Sequence, residues 1–188
     1  IFEGKKAVGL EYMHKGKNRK IMAHKEVILS AGSLMSPAIL QRSGVGASED
    51  TNPHGIDLIH ELPGVGKNLQ DHIDFNFCFK TNDKNTLGFS PGGFLKILGE
   101  AAKWLVHGNS MISSTLSEAG GFLKTDQSLD RPDIQHHFVI GLIDDHLRKL
   151  HYGYGYSCHV CLLRPYSRGT VSLASAKESD PPLINPNF

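Results

Sequence analysis

The stretch that decides the predicted fold runs Val27-Ile28-Leu29-Ser30-Ala31-Gly32-Ser33-Leu34-Met35-Ser36-Pro37-Ala38-Ile39-Leu40-Gln41-Arg42-Ser43-Gly44. Its first three residues form a continuous apolar run, which predicts a strand buried on both faces, as in a parallel sheet. Only small residues follow over 30–33. Ser36 and Pro37 suit the N-cap and the first position of a helix, and Gly44 suits its end.

This order of strand, tight turn and helix indicates a cofactor site. In an open α/β sheet the strand-to-helix turn is where a cofactor lies against the backbone, because larger side chains would obstruct it. A tight turn that binds no ligand remains the alternative from these residues alone.

The segments on either side of this stretch differ in character. Alternating apolar residues predict a hairpin over 8–23, before the stretch. After it, residues 73–79 alternate as a half-buried strand, and Ser90-Pro91 opens an amphipathic helix that Gly108 ends. Further strands are predicted at 120–124, 134–140, 154–163 and 170–174.

The change of character near His72 predicts a domain boundary. We expect α/β structure in residues 1–71 and an α+β arrangement, with a mixed or antiparallel sheet, in residues 72–188. A chain of 188 residues with 39% hydrophobic residues has enough apolar material for such cores.

The composition excludes several classes of function. The formal net charge is +1 with acids and bases interspersed, so no basic stripe indicates a nucleic-acid partner. No apolar run approaches the roughly 20 residues of a membrane-spanning helix. Three cysteines in a chain of this size argue against a disulfide framework and favour a reducing compartment, so we expect a cytoplasmic protein, with docking on the inner membrane as an alternative.

Three motifs resemble known functional sites but lack features that those sites require. The glycine pairs at 44–46 and 64–66 lack the third glycine and the strand-to-helix context of a pyrophosphate loop. Cys158 and Cys161 resemble a metal pair, but the alternating residues around them predict a strand that puts them on opposite faces, so no metal site is predicted. A serine nucleophile at Ser33 would need a glycine where Met35 stands.

Residues 31–46 resemble the second sequence signature of the glucose–methanol–choline (GMC) oxidoreductase family. Three further blocks match later segments of that family in the same order: Leu62-Pro63-Gly64-Val65-Gly66-Lys67-Asn68-Leu69-Gln70-Asp71-His72, Ser167-Arg168-Gly169-Thr170-Val171 and Asp180-Pro181-Pro182-Leu183-Ile184. The matching blocks are spread over nearly the whole chain, so the sequence is identified as similar to an internal part of a family member.

The resemblance implies a fold, a cofactor and a reaction. The fold would combine part of a Rossmann-like FAD-binding domain (1–71) with part of a substrate domain (72–188). In the reaction, a base takes the hydroxyl proton of an alcohol while a hydride passes to the flavin, which carries the difficult chemistry. The cofactor-binding residues implied by the match are Ser30, Ala31, Gly32, Asn68, Asp71 and His72.

The resemblance also places two functional parts outside this sequence. The glycine-rich pyrophosphate loop of the family would precede Ile1, and its catalytic histidine would follow Phe188. Both ends of the chain are therefore expected to be cuts, and no catalytic residue is predicted within residues 1–188.

Glu118, in the run Glu118-Ala119-Gly120-Gly121-Phe122, is the predicted substrate-binding residue. In choline-oxidising relatives a glutamate at this position faces the trimethylammonium group, although similar runs occur in relatives that act on uncharged alcohols. A structural, hydrogen-bonded carboxylate is the other interpretation.

The leading hypothesis is a FAD-dependent dehydrogenase that oxidises a primary alcohol to an aldehyde. It would pass electrons to a quinone or another carrier in place of oxygen. A choline dehydrogenase is the alternative within this class. A non-catalytic binding or structural protein that retains the fold is the alternative from another class.

Overall fold

The chain folds into two compact units in a computed structural model, which describes residues 1–144, 148–149 and 151–188. The first unit comprises Ile1–Asp71 and Tyr166–Phe188, and the second comprises His72–Pro165. Both combine helices with mainly antiparallel sheets, so the chain is a mixed α/β protein.

The first unit begins with two antiparallel hairpins. They are built from β1 (Phe2–Glu3) with β2 (Lys6–Ala7) and β3 (Gly9–His14) with β4 (Lys17–Met22). Lys15 and Gly16 turn the second hairpin with φ angles of 50° and 72°. Two positive φ angles match the twist of the flanking strands in a tight hairpin, and the hairpin expected over 8–23 is confirmed.

The expected buried strand at Val27–Leu29 is wrong. Among the described residues no strand pairs with this run. Its apolar side chains are largely open to solvent, and Ile28 is 79% exposed. An apolar run supplies only the propensity for a strand, whereas a strand requires hydrogen-bonding neighbours that local sequence cannot specify.

Helix α1 (Gly32–Arg42) begins five residues before the expected first position at Pro37, with Ala31 in place of Ser36 as N-cap. The Ser36 hydroxyl does bind the helix end, but it does so from inside the helix, by accepting from the N–H of Ala31 at 3.0 Å. Pro37 is tolerated near the N-terminus, although its missing N–H leaves the Ser33 carbonyl without an i+4 donor. Gly44, with φ of 79°, follows the helix as predicted.

The rest of the first unit consists of short elements. They are β5 (Val45–Gly46), α2 (Ser48–Thr51), a 3₁₀ turn (Asn52–His54), β6 (His60–Glu61), β7 (Lys67–Leu69), β13 (Gly169–Ser172) and β14 (Leu183–Asn185). Strands β5 and β6 pair in parallel, and β13 pairs antiparallel with both β7 and β14. The buried residues of this unit include Ala38, Val45, Val171, Gln41 and Thr51.

The pairing of β13 with β7 explains why residues 166–188 belong to the first unit. The sequence placed them with residues 72–188, because the alternating pattern of β13 looks the same in either sheet. A partner strand 100 residues away leaves no local signal. Which unit binds a cofactor and which a substrate stays a prediction.

The second unit is built on one antiparallel sheet. Its strands are β8 (Ile73–Thr81), β9 (Gly88–Phe89), β10 (Ser117–Leu123), β11 (Ile134–Val139) and β12 (Gly153–Leu162). The order is β10-β11-β12-β8, with β9 also pairing with β12. The positions of its long strands agree with the sequence-based expectation.

The second unit also contains helix α3 (Pro91–His107), and a 3₁₀ turn (Met111–Ser113) follows this helix in the chain. The Ser90 hydroxyl accepts from the N–H of Gly93 at 3.0 Å, and Gly108 ends the helix with φ of 73°. Both boundaries confirm the prediction, because capping chemistry is local. None of the described helices combines the length and apolar character needed to cross a membrane.

The two faces of the β8–β12 sheet differ in polarity. One face exposes Phe75, Phe77 and Phe79 of β8. The opposite face carries polar residues, including the fully buried Ser157, whose hydroxyl donates to the carbonyl of Gly141 at 2.7 Å. Strand β8 is therefore less buried than expected, because its phenylalanines lie on the exposed face and Asn76 and Cys78 on the opposite face are only partly buried.

Candidate cofactor site

A cleft of about 300 Å³ lies within the first unit. One wall is the first part of α1, at Ser33 and Pro37. The other is formed by the loop and strand over 66–70, with Val171 of β13. The cleft therefore joins Ser33, which follows the predicted segment 30–32, to Asn68, and Asn68 is the one predicted cofactor residue among those that line it.

The N-terminus of α1, directly before the cleft-lining Ser33, has exposed backbone. Gly32 has φ of 81°, and no described atom lies within 4 Å of the position that a side chain would take. No described side chain caps the helix end through its N2 or N3 position, and its first turn carries no acidic residue. The free N–H groups and the positive end of the helix dipole suit an electron-rich ligand.

The predicted cofactor residues divide between this cleft and its surroundings. Ser30 and Ala31 are exposed and lead directly into α1. Asn68 lines the cleft in β7 with φ of 63°, a conformation that asparagine tolerates better than most residues. Asp71 and His72 follow β7 in irregular backbone, where the first unit gives way to the second, and neither lines the cleft.

Lys67 connects the cleft to the short helix α2. Its ammonium nitrogen lies 2.9 Å from a carboxylate oxygen of Asp50 and 3.9 Å from Glu49. Asp50 is largely covered, whereas Glu49 is exposed, so the contact to Asp50 is the less screened of the two. This ion pair anchors the strand whose next residue, Asn68, faces the cleft.

Glu118 lies in β10 of the second unit, at an irregularity in the pairing with β11 between Ser117 and Ala119. Its carboxylate accepts a hydrogen bond from the hydroxyl of Ser114. The side chain is exposed, so this contact leaves the other oxygen accessible to a ligand. Its role in substrate binding stays a prediction.

A second polar cluster lies on the polar face of the β8–β12 sheet, where the Asp74 side chain is 40% exposed. The Asp74 carboxylate contacts Nδ1 of His159 at 2.7 Å and accepts from the thiol of Cys161 at 3.3 Å. Burial, the hydrogen bond to Asp74 and its negative charge raise the pKa of the Cys161 thiol to about 11. A thiol with such a pKa stays protonated at neutral pH and is a poor nucleophile.

The two cysteines of the metal-like motif lie apart, as their positions in a strand require. Cys158 lies beside His136 on the opposite face of β12 from Cys161. In the described part of the chain no group of three or more histidine, cysteine or acidic side chains is arranged to hold a metal ion.

Sequence reasoning missed most of the cleft wall. Pro37, Gly66, Lys67, Leu69, Gln70 and Val171 line it together with Ser33 and Asn68. The loop residues could have been found from the glycine-rich pattern around Gly66. Val171 could not, since its place depends on strand pairing between distant segments.

The cleft fits part of FAD better than the whole cofactor. Its volume is at the lower limit for small-molecule sites. The exposed backbone at Gly32 lets a flat group approach closely, and the uncapped N–H groups of α1 are donors for its polar edge. The residues present are therefore compatible with FAD and would contact one portion of it.

Known proteins of one family are similar to this chain. Residues 1–74 match the family model of GMC oxidoreductases. The whole chain is 40% identical to an alcohol dehydrogenase [acceptor] of Pseudomonas putida, covering 34% of that protein. It is 37% identical to oxygen-dependent choline dehydrogenase 1 of Chromohalobacter salexigens and 36% identical to human mitochondrial choline dehydrogenase, covering 33% and 32% of them.

Solved structures show the same fold. A formate oxidase from Aspergillus oryzae, in a study of FAD modification, superposes on 98% of the chain with a TM-score of 0.85 and 25% identity, covering 37% of that protein. A pyridoxine 4-oxidase from Mesorbium loti superposes on 100% of the chain with a TM-score of 0.72 and 23% identity, covering 33% of that protein.

The chain is similar over its whole length to GMC oxidoreductases, a family whose cofactor is FAD, and its residues 1–74 match the model of that family. It spans about one third of the length of the curated relatives it matches. The activity of the whole protein is therefore inferred below.

Proposed function

We propose that the chain is part of a FAD-dependent dehydrogenase that oxidises the CH–OH group of a primary alcohol to an aldehyde. The cleft between α1 and β7 carries this proposal, because it brings together the two segments that match the family's cofactor-binding blocks. The same proposal includes two further parts. The whole protein is an alcohol dehydrogenase, and its cofactor domain has a Rossmann-like fold.

The residues of the first unit would hold the cofactor. Bound FAD would supply the hydride acceptor. The backbone of Ser30, Ala31 and Gly32 would lie against it, because their small side chains leave the approach open. Asn68 would add a side-chain amide from the opposite wall. Asp71 and His72, the first residue of the second unit, would be further cofactor contacts outside the cleft.

In the second unit, Glu118 would contact the substrate. The Ser114 hydroxyl satisfies one carboxylate oxygen and restricts the rotamers of the side chain. The other oxygen would accept a hydrogen bond from a polar substrate group or face a cationic one.

The electron acceptor is proposed to be a quinone or another carrier. The name of the Pseudomonas putida relative, alcohol dehydrogenase [acceptor], supports this choice. Choline oxidation is the second candidate, since a carboxylate at Glu118 suits a quaternary ammonium and the Chromohalobacter and human relatives are choline dehydrogenases.

Two measurements on the purified holoenzyme test the proposal. Its visible absorbance should show bound flavin, and it should reduce an artificial acceptor with a medium-chain primary alcohol more efficiently than with choline. A preference for choline would favour the second candidate. A preparation that stays colourless with added FAD would overturn both and support the non-catalytic alternative.

A pair of glutamate variants tests the substrate contact. Glu118→Gln should raise KM for the preferred substrate about tenfold, because it removes the charge but keeps the shape. Glu100→Gln is the matched control, since Glu100 accepts from the N–H of Met111 at 2.9 Å and an amide oxygen can replace it. Unchanged KM in Glu118→Gln would show that Glu118 is structural.

A further inference from the structure

We propose that Gln41 is the positioning residue that sets the width of the cofactor cleft. The inference rests on the proposed binding of FAD in that cleft. Gln41 is fully buried in the first unit, at the far end of α1 from Gly32. No sequence motif singled it out.

Ser33, Pro37 and Gln41 form one stripe along α1. They are spaced four residues apart, so their side chains lie on the same face of the helix. Ser33 and Pro37 line the cleft with short side chains that leave it open. Gln41, one turn further on, is buried behind the cleft, and its longer side chain reaches the backbone of the opposite wall.

The Gln41 amide bridges the two segments of the opposite wall. Its Nε2 donates to the carbonyl of Val65 at 3.4 Å and to the carbonyl of Val171 at 3.1 Å. Val65 directly precedes the cleft-lining residues 66–70, and Val171 itself lines the cleft. One side chain therefore ties α1 to both parts of the wall that faces it.

The orientation of this amide follows from its partners. Both partners are carbonyl oxygens, which accept only, so the NH₂ group has to face them. The Oε1 atom is then left buried, and it has no hydrogen-bond partner among the described residues. Leucine or methionine would fill the same space without burying this unpaired oxygen, so the glutamine is present for its two donors.

The backbone of the wall packs directly on the Gln41 amide. Gly66 has φ of 77°, and a side chain there would come within 2.5 Å of Gln41 Nε2 and 2.1 Å of the Val171 carbonyl. The N–H of Val171 also donates to the carbonyl of Gly66 at 2.7 Å. Gly66 is packed too closely against the Gln41 amide and the Val171 carbonyl to accept a side chain. The length and polarity of residue 41 therefore determine where Gly66 and the next cleft residues lie.

The first test compares FAD binding with stability in the holoenzyme. Gln41→Met keeps the length but loses both donors, so the apparent Kd for FAD should rise about tenfold and the visible flavin spectrum should shift. Thr51→Ala is the control, because Thr51 is equally buried in the same unit but its hydroxyl bonds within α2, to the carbonyl of Ala47. It should lower the unfolding temperature of the apoprotein while leaving the Kd within about twofold.

An unchanged Kd and spectrum in Gln41→Met would overturn the inference. An equal loss of FAD affinity in Thr51→Ala would also overturn it, by showing that general destabilisation is enough. Failure of the unsubstituted protein to bind FAD would instead refute the proposed function together with this inference.

A second variant distinguishes positioning from packing. In Gln41→Glu the ionised carboxylate would repel both carbonyls, whereas the protonated acid can donate to one of them. Burial raises the pKa of such a carboxyl group, so lowering the pH should protonate it. The Kd of Gln41→Glu for FAD, divided by the Kd of the unsubstituted protein, should therefore fall at least about fivefold between about pH 8 and about pH 5.5. A ratio that does not change with pH would contradict a role for the donors.

Discussion

The core of the first unit and the sheet of the second unit differ in which side chains they bury. Around α1, apolar residues such as Ala38, Val45 and Val171 are buried, and one polar side chain, Gln41, bridges two backbone segments among them. In the β8–β12 sheet, the polar residues lie on the more buried face and the phenylalanines of β8 are exposed.

This difference shows that burial and hydrophobicity are separate properties. In the first unit the cleft is set by tight packing, where a single side chain limits the position of the wall. In the second unit the buried face is held by hydrogen bonds, while the apolar face contributes little to stability because water still reaches it. The two regions should therefore respond differently to substitution.

The largest effect is expected at Gly66. Gly66→Ala places a side chain at a positive φ and against the Val171 carbonyl, and it should lower the free energy of unfolding by about 4 kcal/mol. Chemical denaturation measures the loss. Gly64→Ala is the control, because no described atom lies within 4 Å of the added carbon. A small loss in Gly66→Ala would show that the wall is not tightly packed.

A smaller loss is expected at Ser157 in the second unit. Its hydroxyl donates to the carbonyl of Gly141 at 2.7 Å and accepts from the N–H of Ile143 at 2.9 Å. Ser157→Ala leaves both backbone groups without this partner and should lower the free energy of unfolding by about 2 kcal/mol. The exposed Ser179→Ala should change it by less than about 0.5 kcal/mol. Equal effects would argue against a hydrogen-bonded core on this face.

The same face should show a dependence on alkaline pH through Cys161. Its pKa is raised to about 11 in the folded protein. The resulting stabilisation is present below the pKa of the unfolded thiol, about 8.5, and is lost as the pH rises to about 11. We therefore expect the free energy of unfolding of the unsubstituted protein to fall relative to that of Cys161→Ser as the pH rises. The difference between the two proteins should change on the order of 1 to 2 kcal/mol over this range. Parallel curves would contradict the burial of the thiol.

The smallest effect is expected on the apolar face. Phe77 is 47% exposed and Val171 is 2% exposed. In the 188-residue chain, Phe77→Thr should lower the free energy of unfolding by about 1 kcal/mol or less, against about 2 kcal/mol for Val171→Ala, as thermal or chemical denaturation would show. The reverse order would mean that the phenylalanine face is covered in solution, and the contrast between the two units would fail.

Local chemistry explains which parts of the fold were predictable. The hairpin turn at Lys15-Gly16, the caps of α3 at Ser90 and Gly108, and the alternating strands depend on neighbouring residues only. The start of α1 was predicted five residues late, because Ser36-Pro37 has the composition of a helix N-terminus and yet lies inside the helix. The Ser36 hydroxyl still binds the N-terminus of the helix, because it accepts a hydrogen bond from the N–H of Ala31.

The candidate site was predictable only in part. Family resemblance and small residues identified the segments at 30–32 and 68–72, and the cleft joins Ser33 to Asn68. Val171 and Gln41 were missed, because their roles arise from a hydrogen bond between residues 130 positions apart.

The sequence alone determined the family, the presence of helices and alternating strands, and the chemistry of the turns, because each of these is encoded in short stretches of residues. Only the tertiary structure decided that Val27–Leu29 has no partner strand among the described residues, that β13 returns to the first unit, and that Gln41 bonds to Val171. Strand pairing and side-chain packing join distant segments, and a local pattern is compatible with several such pairings.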